Sequence, residues 1–108
     1  MSYDTNVYDN PEKHGLEIIG ELRDPNESYD FDTVVFWKSG RKVYAAHDSG
    51  CSCPSPFEGY NDIKDLERIT RVAAAQQFIE SFEDNYLKYD VAAKRDLLAA
   101  VGKVLRGA

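Results

Sequence analysis

No stretch of the sequence is apolar for the ~20 residues that a membrane-crossing helix requires, which argues against an integral membrane protein. The first thirteen residues, MSYDTNVYDNPEK, lack a basic start and an apolar core, so they do not read as a secretory leader, and an intracellular setting without membrane contact is expected. Cysteine is scarce. The chain has two, Cys51 and Cys53, and a single intervening residue leaves too tight a ring for an unstrained disulfide between them. Both are expected as thiols. The sequence has no glycine-rich phosphate loop and no H-E-x-x-H zinc signature, which removes the commonest short routes to nucleotide and metalloprotease chemistry. Internal repeats and low-complexity segments are also missing.

Positive charge is in deficit: 13 Lys and Arg against 19 Asp and Glu give a net charge of −6. Residues 1–70 hold 14 of the acids and 7 of the cations, whereas residues 71–108 hold 5 and 6. An acidic chain repels phosphates, so direct nucleic-acid binding is not expected, and a basic protein partner is compatible. Surface acids also serve solubility. Mimicry of nucleic acid by Glu12, Glu17, Glu21, Asp24, Glu27, Asp30 and Asp32 is a further reading of the same charge.

A length of 108 residues fits one domain with one core. Its first fourteen residues form a polar arm with scattered Tyr3, Val7 and Tyr8. In LEIIGEL, Leu16, Ile18 and Leu22 alternate with Glu17 and Glu21, the pattern of a half-buried strand. The segment FDTVVFWK (31–38) is β-branched and aromatic, and KVYAAH (42–47) follows after Ser39-Gly40, so the two predict a hairpin. With Ser39-Gly40 as the whole loop, Phe36 would face Val43, Val34 would face Ala45, and Asp32 would face His47. Val34, Phe36, Val43 and Ala45 then share one apolar face, and Val35, Trp37 and Tyr44 share the other.

Asn61 or Asp62 can cap a helical turn over 61–66. Thr70 can cap a helix with the stripe Val72, Ala75, Phe78, Ile79 and Phe82. Asp90 can cap a second with the stripe Leu97, Leu98, Val101, Val104 and Leu105, stopped by Gly107. The expected fold is α+β: a three-stranded antiparallel meander (15–48), a Cys/Pro-rich loop (49–60) and two C-terminal helices within 61–107.

The segment HDSGCSCPSPFE (47–58) supports three readings. As a metal site it offers His47, Cys51 and Cys53, with Asp48 or His14 as a fourth ligand, but zinc sites favour cysteines two to four apart and a second pair. As a thiol site it offers Cys51 after a glycine, with His47 as base and Asp32 to orient it. As structure it offers an Asp48-Ser49-Gly50 turn, a buried Cys51, two prolines that keep the exit extended, and Phe57 as a core anchor. The structural reading is the expectation, with no cofactor and no catalytic activity.

DSGCSCPSPFE (48–58) and the upstream VYDNPEKHGLEIIGEL (7–22) together resemble an uncharacterised family of small proteins encoded by phages of actinobacteria, over roughly residues 7–66. That resemblance implies the cytoplasm of a bacterial host and no catalytic residues, and position 47 is not a fixed part of the motif. The functional expectation is a non-catalytic interaction protein that binds a host protein, or a second copy of itself, through Val35, Trp37 and Tyr44. Two helices can cover only one side of a sheet, and Trp and Tyr are favoured interface anchors; the alternative is that residues 1–14, with Tyr3, Val7 and Tyr8, fold over that face.

Overall fold

The computed structural model describes residues 6–24, 30–51, 57, 59–83 and 89–107, with Asp30, Phe31 and Cys51 described by backbone alone. The described residues contain four strands and two α-helices: β1 (Glu17–Arg23), β2 (Asp30–Ser39), β3 (Lys42–Cys51), β4 (Glu67–Ile69), α1 (Val72–Glu80) and α2 (Val91–Arg106). The sheet is antiparallel in the order β1-β2-β3-β4. The architecture is α+β as expected, but with a fourth strand. Glu67-Arg68-Ile69 is too short and too charged to read as a strand. It becomes one because the Asp62-capped 3₁₀ turn Ile63–Asp65 delivers it beside Val43–Ala45.

β2 and β3 pair with Ser39 opposite Lys42, so the loop is Gly40-Arg41 and not Ser39-Gly40. Gly40 sits at φ 63, the left-handed region that glycine enters without a steric cost. Phe36 therefore faces Ala45, Trp37 faces Tyr44, and Asp32 faces Ser49. The expected pairing is displaced by two positions along β3. Because side chains alternate with period two, an even displacement leaves every residue on its expected face.

β1 does depart from its expected face. A bulge between Ile18 and Gly20 breaks the register against β2. The extra residue reverses the alternation, so Leu16 and Ile18 pack on one side of the sheet and Leu22 on the other.

The helices cover one face. Val34, Phe36, Val43 and Ala45 meet Ile69, Ala75, Ile79, Leu97 and Val101 there. Asp90 caps α2 by accepting from the Ala93 N–H, and Gly107 ends it at φ 74. The cap expected at Thr70 does not form: Arg71 is the N-cap of α1 and makes no side-chain cap bond.

The opposite face is also covered, which corrects the expectation of an apolar docking surface. Val35 and Trp37 are 0% exposed. They lie beneath Val7, Leu16, Phe57 and Leu66, with Tyr8, Tyr60 and Ile63 at the margin. Trp37 Nε1 donates to the Val7 carbonyl at 3.0 Å, and the Val7 N–H donates to the Tyr60 carbonyl at 2.9 Å. The described part of the N-terminal arm, from residue 6, thus forms with Phe57 and residues 60–66 a third layer tied to the tryptophan. Tyr44 is half-buried, with the Arg68 guanidinium 5.8 Å from its ring centre. The sheet faces hold two cores, and Val35, Trp37 and Tyr44 belong to the second.

Candidate functional site

His47 lies on the helical side of β3, beyond the end of the short β4. Its Nε2 is 3.1 Å from Asp32 Oδ1 on the neighbouring strand. The two residues are diagonal and not directly opposite, yet the same-face relation read from the sequence still brings them together. The imidazole lies flat on Phe82, with ring centres 3.9 Å apart and planes 8° from parallel. Tyr89 completes the cluster by donating its hydroxyl to the same Asp32 oxygen.

Tyr89 is almost fully buried, and its hydroxyl pKa is pushed far up. Burial is the largest cause, followed by the Asp32 hydrogen bond and the negative charge of Asp32, Glu83 and Asp24. Burial also raises the Tyr60 hydroxyl, with Asp48 and Asp65 adding to it. A folded-state pKa above the ordinary 10.0 stabilises the fold in full below that pH, and the contribution drains away as pH rises beyond it. We expect the urea midpoint to hold steady up to about pH 10 and to fall above it, with a shallower fall in Tyr89→Phe. A midpoint that is flat through pH 11 would contradict this arrangement of Tyr89.

A cleft of about 390 Å³ opens beside the cluster. Its walls come from β3 (Ala45, Ala46, His47), from Tyr60, Asp65, Leu66 and Glu67, and from Phe78 and Phe82 at the end of α1. Phe78 and Phe82 meet edge to face at 5.1 Å. The Tyr60 hydroxyl donates to the His47 carbonyl at 3.1 Å, which satisfies a strand-edge oxygen that β4 is too short to reach. Asp65 and Glu67 are exposed at the rim, and among the described residues no Lys or Arg lines the cleft. The volume falls within the ordinary range of ligand sites.

The thiol and zinc readings do not assemble around His47. β3 runs extended to Cys51, whose backbone pairs with Asp30. The expected Asp48-Ser49-Gly50 turn is therefore strand, because β2 is long enough to pair with it. At roughly 3.3 Å per residue, His47 and Cys51 stand about 13 Å apart along one strand, too far for one metal or for a thiol-base pair. Cys53 lies outside the described residues, as does half of the expected Cys/Pro loop. Among the described residues no three or more of His, Cys, Asp and Glu are placed to hold a metal ion. Asp48 instead closes the loop: its carboxylate accepts from the Ser49 N–H and, at 2.7 Å, from the Phe57 N–H. Phe57 is fully buried, as an anchor should be.

A family model described as Domain of unknown function (DUF7574) matches residues 5–106. The chain belongs to this family. The match spans the arm, the sheet and both helices, so the third layer over Trp37 is part of the DUF7574 domain itself. No curated protein and no solved structure matches the chain. No helix among the described residues of this DUF7574 domain is long and apolar enough to cross a membrane.

Proposed function

We propose that this DUF7574 protein is a non-catalytic interaction protein that takes a cationic segment of a partner protein into the cleft beside His47. The observation that carries this is the composition of the cleft. Aromatic rings of Tyr60, Phe78 and Phe82 line it, Asp65 and Glu67 rim it, and among the described residues no lysine or arginine does. A guanidinium or ammonium group gains from aromatic faces and from neighbouring carboxylates together. His47 is occupied by Asp32 and Phe82, which suits a wall better than a general base. The resemblance to actinobacterial phage proteins favours a basic protein of the bacterial cytoplasm as partner.

The test is titration of the labelled protein with an arginine-rich peptide, followed by NMR. Shifts are expected at Tyr60, Phe78, Phe82 and the Asp65–Glu67 backbone. They should weaken with added salt and weaken several-fold in an Asp65→Asn/Glu67→Gln double variant. Shifts elsewhere only, or none, would remove the proposal.

A further inference from the structure

The whole-chain charge of −6 conceals a segregation that only the fold creates. Arg41 and Lys42 make the turn and exit of the β2–β3 hairpin, and Lys38 stands just before it. Pairing sets Ile69 beside Val43, so Arg71 arrives at the same end of the molecule. α2 finishes there as well. A Cβ built on Gly107 would lie 2.5 Å from Arg41 Nε, and one built on Gly102 would meet both Val72 and the Arg106 guanidinium. Lys103 shares with Lys38 a cleft between the start of β1 and the last turns of α2.

Six cations are thereby gathered at one end: Lys38, Arg41, Lys42, Arg71, Lys103 and Arg106. All but the half-buried Lys38 are exposed. Among the described residues none of the six forms an ion pair. Glu17, opposite Lys38 on β1, is the acid in the shared cleft. With these six cations and Glu17 set aside, seven cations and eighteen acids remain, a balance of −11.

The dipole of α2 accounts for part of this, since Lys103, Arg106 and Arg41 sit at its negative end. It does not account for Lys38, Lys42 or Arg71. The opening turn of α1 adds to the positive field, because no side chain caps its N–H groups.

We infer that this end of the molecule contacts the phosphodiester backbone of nucleic acid. The patch consists of arginine and lysine with no aromatic side chain among them. That composition suits phosphate contacts without base reading, and it lacks the buried aromatic anchors of a protein interface. The expectation of no direct nucleic-acid binding came from averaging charge over the chain, and the fold concentrates what the average hides. This site is separate from the acidic cleft, and neither depends on the other.

The experiment is fluorescence anisotropy with a labelled duplex of about two helical turns over a series of salt concentrations. Affinity should fall with salt at a log–log slope approaching about −5 if all six cations engage, at roughly −0.9 per phosphate neutralised. An Arg41→Glu/Arg106→Glu variant, checked for fold by circular dichroism, should bind at least ~10-fold more weakly. A Lys64→Glu/Arg95→Glu variant has the same net charge but alters exposed residues elsewhere, and it should bind as wild type does. No binding at low salt, or equal loss in the two variants, would overturn the inference. Equal competition by a polyglutamate peptide would overturn it in favour of an acidic protein partner, and equal competition by phosphatidylserine vesicles in favour of a membrane surface.

Discussion

Trp37→Ala is expected to destabilise the protein by about 3–5 kcal/mol, the range for removing a large aromatic from a packed core. Trp37 is fully buried, packs edge to face on Phe57 with ring centres 5.7 Å apart, and faces Ile18 and Tyr44 across two strand pairings. Its indole N–H also holds the Val7 carbonyl, and so fixes the arm over the sheet. Alanine would leave a cavity between the sheet and its outer layer and would unfasten that layer. Trp37→Phe retains most of the packing and removes the hydrogen bond, at about 1–2 kcal/mol. Urea unfolding by circular dichroism should resolve the two steps. An alanine variant as stable as wild type would mean that the outer layer does not lie on Trp37 in solution. The large expected cost also makes Trp37→Ala unsuitable as a binding-surface control, because it would perturb the fold before any interface.

Lys94→Ala is expected to have a comparable effect for an electrostatic reason. Lys94 Nζ lies 2.6 Å from Glu83 Oε1, and the two side chains are only 12% and 6% exposed. Glu83 also accepts from the Tyr89 N–H, so the pair joins the end of the α1 region to the start of α2. Removing the lysine leaves a carboxylate charge in a poorly solvated place, which costs about 3–5 kcal/mol. The charge, and not the missing contact, dominates that figure. A Glu83→Gln/Lys94→Met variant keeps an acceptor for the Tyr89 N–H and removes both charges. It should recover most of the loss. Thermal melts of the wild type and the two variants provide the check. A double variant no more stable than Lys94→Ala would show that the loss comes from packing.

The hairpin shows how much of this could be read early. The loop lies one residue beyond the expected Ser39-Gly40, yet β2 and β3 divide into the two expected faces, because a displacement of even size preserves side-chain parity. β1 shows the opposite case. A single bulge residue at Ile19 reverses its alternation, and nothing in LEIIGEL announces it. The bulge is a property of pairing with β2. Asp90 and Gly107 were legible as helix ends because capping is local chemistry. The cap assigned to Thr70 was not made, since the chain leaves β4 extended through Arg71.

Of the candidate site, the His47–Asp32 relation was legible from strand alternation. Tyr89 was not, because 57 residues separate it from Asp32 and no spacing rule spans that distance. Phe82 fits the spacing of a core stripe, yet it is half-buried and stacks on His47. Tyr60, Asp65 and Glu67 enter the cleft only because the 3₁₀ turn folds back to form β4.

By itself the sequence determined most of the residues that are hidden, that α2 is sealed at Asp90 and Gly107, and that the two hairpin strands are apolar on both sides. These follow from hydrophobic burial and from hydrogen-bonding groups that act over a few residues. Tertiary structure alone decided what hides them: Val7, Leu16, Phe57 and Leu66 close over Trp37, where the sequence left an open face and a covering arm as alternatives. It alone decided where the charges stand, gathering six cations from three separate segments at one end of a net acidic protein. Burial is a demand each residue makes locally, whereas cover and electrostatic field depend on where distant segments come to rest.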